Sequence, residues 1–159
     1  MSKTLVAYFS ASGVTGSAAR TLSAALNADL YEIAPATPYT DADLDWRNAN
    51  SRSSTEMKDK SSRPEIVNTP VNIANYDAIL VGFPIWWYVA PTIVNTFLEK
   101  HDFTGKKIIL FAISSGSDFG KTVDGLKVSA PGAVIEEGML QRGKQDLEAW
   151  KSWAADLGF

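Results

Sequence analysis

The chain has 159 residues, of which 45% are hydrophobic and 21% charged, and its net charge at neutral pH is −3. These values predict one compact domain, residues 1–159, and exclude intrinsic disorder. The small acidic excess argues against a nucleic-acid-binding surface. The absence of cysteine excludes disulfides, thiolate catalysis, iron–sulfur clusters and thiolate zinc sites, so any redox chemistry requires a bound cofactor.

The chain offers little for metal binding or membrane insertion. Its single histidine, His101, lies in a polar stretch, where we expect a solvated loop residue, and one histidine cannot build a multi-histidine metal site. The apolar run at residues 5–9 is too short for a membrane span and lacks the features of a signal peptide. We therefore expect a cytoplasmic protein with no metal and no membrane span.

Short apolar runs alternate with amphipathic segments along the chain. The first run, residues 4–9, predicts a strand, and the following helix should bury Ala18, Ala19, Leu22, Ala25 and Leu26 on one face. Further strands are predicted at residues 29–33, 79–82, 107–113 and 133–136. Further helices are predicted after Pro91, which suits a first helical turn, at residues 121–128 and at residues 145–157. The last helix should bury Leu147, Trp150, Ala154 and Leu157.

This alternation predicts the fold class. Strands that are apolar on both faces and separated by helices indicate a doubly wound, mostly parallel sheet with helices on each side. Residues 34–72 interrupt the pattern, since they are polar and contain four prolines. We predict that they form a partly helical excursion near one end of the sheet, with a helix within residues 41–59.

The loop after the first strand has the composition of an anion site. Residues 10–17 are hydroxyl-bearing, small or glycine and lead directly into a helix, whose N-terminal amides attract anions. No lysine or arginine occurs between Thr4 and Ala19, which argues against a nucleoside triphosphate, and the third glycine of a dinucleotide-binding loop is missing. A single terminal phosphate fits best. The alternative is an ordinary helix cap with a flexible turn.

Two further strand ends carry distinctive loops. Pro84, Ile85, Trp86, Trp87 and Tyr88 follow the third strand. Because three adjacent aromatic residues cannot all face the core, at least one ring should face solvent or a planar ligand. The alternative is an apolar plug beneath the excursion. Small and hydroxyl-bearing residues follow the fourth strand, up to Phe119. For this loop the alternative to a ligand contact is an ordinary turn with a helix cap. In doubly wound sheets such loops meet around a ligand at the carboxyl edge.

The sequence resembles the flavodoxin family over nearly its whole length. Residues 10–15 are similar to the family's phosphate loop, Ser/Thr-x-Thr-Gly-x-Thr, with Ser12 for the middle threonine. The Pro-Ile-Trp-Trp stretch followed by Pro91 resembles a bacterial subgroup, as does the stretch at residues 46–64. The resemblance implies a five-stranded parallel sheet in the order 2-1-3-4-5 that binds FMN noncovalently at its carboxyl edge.

The resemblance also implies which residues contact the cofactor. One group would hold the phosphate, a second would flank one side of the isoalloxazine, and a third would contact its pyrimidine end and outer face. Related chains often have a small residue where Tyr88 stands. The three groups are Ser10, Ala11, Ser12, Gly13, Val14 and Thr15; Pro84, Ile85, Trp86, Trp87 and Tyr88; and Ser115, Gly116, Ser117 and Phe119.

We expect a monomeric electron carrier that shuttles electrons between a reductase and acceptor enzymes, because no acid or base residue stands out around the site. Neutral, apolar surroundings should disfavour negative charge on the flavin and so give a low potential. The alternative is an NAD(P)H-dependent FMN quinone or flavin reductase, with Arg47, Arg52 or Arg63 meeting phosphate. A signalling receiver domain would need a cluster of acidic residues at the first and third strand ends, which this sequence does not have. The remaining alternative is an interaction module that uses the aromatic patch.

Overall fold

The computed structural model describes residues 3–11, 13–114, 116–143 and 145–157. Its centre is one parallel sheet of five strands in the order β2-β1-β3-β4-β5, as predicted. The strands are β1 (Thr4–Tyr8), β2 (Asp29–Glu32), β3 (Ala78–Pro84), β4 (Lys107–Ser114) and β5 (Val134–Arg142). The helices are α1 (Val14–Leu26), α2 (Arg52–Lys58), α3 (Thr92–Glu99), α4 (Thr122–Lys127) and α5 (Leu147–Asp156), with a 3₁₀ turn at Ile73–Asn75.

The sheet separates two apolar layers. Alternate residues of β1, β3 and β4 point to opposite faces, and both sets are apolar because helices cover each face. On one face Val6, Leu80 and Phe111 pack against α1 and α5. On the other, Ala7, Val81 and Leu110 pack in a larger cluster with α3, α4 and part of the excursion. The edge strands are less buried, and within β2 only Tyr31 is buried.

Several sequence-based boundaries were wrong in detail. The third strand continues through Pro84, and β5 is nine residues long, extending well beyond residue 136. Pro91 is the N-cap of α3 and precedes its first turn. The excursion contains only the seven-residue helix α2, because residues 41–50 form turns held by local bonds such as Thr40 N to Asp43 Oδ2.

Three predicted side-chain environments were also wrong. Ala25 is exposed on α1, and Leu147 is 43% exposed, because it lies in the first turn of α5 on the solvent side. His101 is partly buried, since its ring packs against Phe97 and Phe103, and burial lowers its pKa. Among the described residues, no helix has the length and apolar character needed to cross a membrane.

Candidate functional site

The carboxyl ends of β1, β3 and β4 meet at one edge of the sheet. These strands are parallel and in register, and the ladder runs slightly past them, with Phe9 N donating to Gly82 O (2.9 Å) and Ile85 N donating to Ile113 O (2.8 Å). The three predicted loops therefore leave the sheet side by side, next to the point between β1 and β3 where strand order reverses, the usual ligand position in this architecture. Ser12 and Ser115 lie outside the described residues.

The first loop leaves the start of α1 open to an anion. Gly13, with φ of +93°, occupies the N-cap position and has no side chain to cap the helix, and the first turn has no acidic residue. Ser10 Oγ accepts a hydrogen bond from Gly13 N at 3.0 Å, which closes the loop onto itself. Among the described residues, no side chain therefore caps the N-terminal amides of α1 at Val14 and Thr15, and such amides favour a negatively charged ligand.

The second loop is a tight hairpin with an unusual backbone. Trp86 N donates to Val89 O (3.0 Å) and Val89 N donates to Trp86 O (3.2 Å), which leaves Trp87 and Tyr88 as the two turn residues. Both have positive φ, 51° and 66°, as in a type I′ turn, where asparagine and glycine are usual. A left-handed conformation costs a residue with a Cβ about 1–2 kcal/mol, and such strain concentrates at functional sites.

The three aromatic residues of this hairpin have different environments. Trp86 packs edge-on against Phe9 (5.8 Å between ring centroids) and Tyr39 (5.7 Å). Trp87 is 48% exposed and Tyr88 60% exposed. The expectation that at least one ring faces outward is therefore confirmed. Trp86, by contrast, packs beneath the excursion, as the alternative of an apolar plug predicted.

A polar cluster of the excursion holds this aromatic contact, and it was not anticipated from the sequence. Tyr39 donates its hydroxyl proton to Glu56, and Arg52 Nε donates to the other Glu56 oxygen at 3.0 Å. The Arg52 guanidinium also lies 3.8 Å above the Tyr39 ring and donates to Thr37 O. Burial and the Glu56 carboxylate raise the pKa of Tyr39. The i, i+4 spacing of Arg52 and Glu56 was the available sequence signal.

The three arginines of the excursion that could meet a phosphate all have carboxylate partners. Arg52 pairs with Glu56, Arg47 with Asp45 at 3.4 Å, and Arg63 with both oxygens of Glu99 at 3.0 Å. The Arg63 guanidinium holds the pKa of Glu99 below its usual range. The pairs of Arg52 and Arg63 fix parts of the excursion, whereas the Arg47–Asp45 pair is largely exposed and contributes little to stability.

The third loop packs against the hairpin. Ser117 and Ser114 share a hydroxyl hydrogen bond of 2.9 Å, and Arg142 Nε donates to Gly116 O at 3.3 Å. Phe119 is only 7% exposed and belongs to the core cluster, so its ring does not stand out as an open stacking surface. Lys121 N donates to Tyr88 O at 3.2 Å, which joins the two loops directly.

The described parts of the three loops are almost uncharged. Between residues 10 and 17, 84 and 91, and 114 and 120, the only ionisable acid or base apart from Tyr88 is Asp118, whose Oδ1 accepts from Gly120 N at 2.8 Å. The arrangement therefore supplies backbone amides, hydroxyls and apolar rings. Such a site suits a ligand with one anionic end and one flat, apolar end.

Comparisons with known proteins agree with this geometry. A family model described as flavodoxin matches residues 3–157. A protein assigned as a flavoprotein from Bacteroides eggerthii is 48% identical, with 100% of this chain and 99% of that chain covered and a TM-score of 0.89. Another from Bacteroides uniformis is 46% identical, with coverage of 97% and 98% and a TM-score of 0.89.

A more distantly similar protein shares the fold. A flavoprotein from Lactobacillus acidophilus, solved in complex with FMN, is 23% identical, with 94% of this chain and 99% of that chain covered and a TM-score of 0.70. No curated protein sequence matches the chain at a significant level. Because the family model covers nearly the whole chain and relatives approaching half identity share its fold, the protein described here belongs to the flavodoxin family.

Proposed function

We propose that this chain binds FMN at the carboxyl edge of its sheet and carries electrons one at a time between a reductase and acceptor enzymes. The observation that carries the proposal is the meeting of three nearly uncharged loops beside the β1–β3 reversal point. Family membership supports it, as does the FMN held by the Lactobacillus acidophilus relative.

The first loop is suited to the phosphate end of the cofactor. No described side chain caps the N-terminal amides of α1, and a dianion placed there gains about 0.3–1 kcal/mol from the helix dipole, more when partly buried. An alanine Cβ at Gly13 would meet no atom within 4 Å, so the space beside the loop is open. In this proposal Ser10, Ala11, Gly13, Val14 and Thr15, together with Ser12, hold the phosphate.

The second and third loops are suited to the ring system. Pro84, Ile85, Trp86, Trp87 and Tyr88 would flank one side. Gly116, Ser117 and the backbone of Phe119, together with Ser115, would contact the pyrimidine end and the outer face. The exposed Trp87 and Tyr88 rings offer apolar surface that a planar ligand would cover, while Trp86 anchors the hairpin to the excursion.

The flavin supplies the redox chemistry when bound, and the chain supplies binding, orientation and surroundings. The described residues within 10–17, 84–91 and 114–120 include no histidine or lysine, and Asp118 Oδ1 accepts a hydrogen bond from Gly120 N. Asp118 and Tyr88 are therefore the ionisable side chains that the described parts of the three loops offer for proton transfer. The scarcity of such groups favours electron transfer over acid–base catalysis by the protein.

Reconstitution with FMN tests the cofactor. We expect one FMN per chain, and we expect Trp87→Ala to weaken binding about tenfold if the ring stacks on the cofactor. Val134→Ala is a matched control, because Val134 is exposed at the opposite edge of the sheet. Failure of the purified chain to retain FMN would overturn the proposal.

Steady-state kinetics test the carrier role separately. We expect the FMN-loaded chain to pass electrons to a one-electron acceptor only when a reductase is added. Rapid oxidation of NAD(P)H by the pure protein, without a reductase, would instead identify a flavin-dependent reductase and would reject the carrier role while leaving FMN binding intact.

A further inference from the structure

A cavity of about 740 Å³ lies beside the hairpin and the end of the third loop, and no residue of the first loop lines it among those described. It is bounded by the end of the excursion, by α3 and by α4, on the face of the sheet that these helices cover. Among the described candidate cofactor residues, only Trp87 and Tyr88 also line it. Its volume is in the range of cavities that hold small molecules, about 300–1,000 Å³, so it is a second place where a ligand can bind.

The walls of this cavity suit a flat apolar molecule. Val89, Ala90 and Leu126 line it with aliphatic surface. The rings of Trp87 and Tyr88, which are largely exposed, stand at its rim beside the hairpin. Aromatic rings that are open to solvent on one side gain most from a planar partner, because stacking removes apolar surface from water.

The rim of the cavity has an excess of positive charge. Lys60 and Lys121 line it, and neither forms an ion pair within 4.0 Å with a described residue. Arg63 also lines it but is neutralised by Glu99. Asp124 is the single carboxylate among the described lining residues. The net positive charge of the rim favours a ligand with one anionic group.

A buried polar side chain lies at the inner wall. Asn95 is 6% exposed, and its Nδ2 donates to Gly125 O at 3.0 Å and to Ser129 Oγ at 2.9 Å. These two bonds fix the orientation of the amide. No donor among the described residues reaches Asn95 Oδ1, so this atom can accept a hydrogen bond from a ligand.

We propose that this cavity binds a small planar aromatic molecule that carries one carboxylate or similar anionic group. The ring lies between the aliphatic wall and the Trp87–Tyr88 rim, and the anionic group lies towards Lys60 and Lys121. Because the same two aromatic residues form the strained turn of the hairpin, the occupant contacts the loop that borders the proposed cofactor site. The occupant and FMN would share Trp87 and Tyr88, so the two proposals are distinguished at residues 13–17, which only the cofactor would contact.

The test is a titration of the full chain, isotopically labelled for amide NMR, with 2-naphthoate and with its neutral analogue 2-naphthamide. The chain is used with FMN if it retains it and as purified otherwise. We expect amide shifts at residues 87–90 and 120–126 and none at residues 13–17. We expect naphthoate to bind about fivefold more tightly than naphthamide, and Lys121→Gln to remove this preference without changing naphthamide binding.

A matched pair at Gly125 of α4 tests the position of the ligand. A Cβ at Gly125 would meet no atom within 4 Å, so Gly125→Ala should retain binding, whereas the larger Gly125→Phe should block it. The absence of shifts at millimolar naphthoate overturns the proposal, as does equal binding of the neutral analogue. Shifts at residues 13–17, or displacement of naphthoate by FMN, also overturn it, because the cavity would then be part of the cofactor site.

Discussion

Replacing Gly120 by alanine should separate the hairpin from the third loop. Gly120 has φ of +51°, and a Cβ there would lie 2.4 Å from Tyr88 O and 2.7 Å from Tyr88 Cβ. The left-handed backbone costs alanine about 1 kcal/mol. Moving Tyr88 O away also breaks its hydrogen bond from Lys121 N, which costs about 1 kcal/mol more. We therefore expect Gly120→Ala to lower the free energy of unfolding by about 2 kcal/mol or more.

Urea unfolding followed by far-UV circular dichroism measures this change. For a chain of this size, about 2 kcal/mol corresponds to a drop in Tm of about 4–8 °C. Gly116→Ala is the matched control in the same loop, because its Cβ would meet no atom within 4 Å and its φ is not positive; it should change stability by no more than about 0.5 kcal/mol. Equal stability of the two variants would refute the steric argument.

Substitutions at three further positions test other features of the structure. Because Tyr88 has φ of 66°, Tyr88→Gly should be about 1 kcal/mol more stable than Tyr88→Ala in urea unfolding; the reverse order would show that the turn is unstrained. Glu56→Gln should lower the free energy of unfolding by about 2 kcal/mol, since it removes the negative charge facing Arg52 and one of the two oxygens that accept from Tyr39 and Arg52; an unchanged denaturation midpoint would contradict this. Burial lowers the pKa of His101 from its ordinary value of 6.5, so the unfolded chain binds the proton more readily and stability falls as pH drops below that value. His101→Gln should flatten the pH dependence of Tm between about pH 7 and 5, and an identical slope would argue against it.

The hydrophobic pattern was enough to predict the sheet. Uninterrupted apolar runs at β1, β3 and β4 are typical of parallel strands covered on both faces, because each side chain must be buried whichever way it points. Strand boundaries were less accurate at Pro84 and in β5. For β5 the reason is that an edge strand has one exposed side and a weaker apolar signal.

The local chemistry of the candidate site was also readable from the sequence. A loop without charge before a helix, and three adjacent aromatics after a strand, predict an anion position and an outward ring because these properties depend on neighbouring residues. The exposure of Trp87 and Tyr88 confirms the second expectation.

Long-range packing decided the remaining features. Phe119 and Trp86 are aromatic residues in loops, yet Phe119 packs in the core and Trp86 against Phe9 and Tyr39, because neighbouring elements provide surfaces to cover them. The partner of Arg63, Glu99, likewise lies 36 residues away in the sequence.

The sequence by itself therefore determined the parallel α/β architecture, the family and the three loops at the sheet edge, since periodicity and short motifs are local properties. Only the tertiary structure decided the left-handed turn at Trp87 and Tyr88, the Arg52–Glu56–Tyr39 cluster and the cavity between α3 and α4. The physical reason is that backbone strain, paired charges and cavities depend on where distant segments meet, and a residue pattern along the chain does not contain those distances.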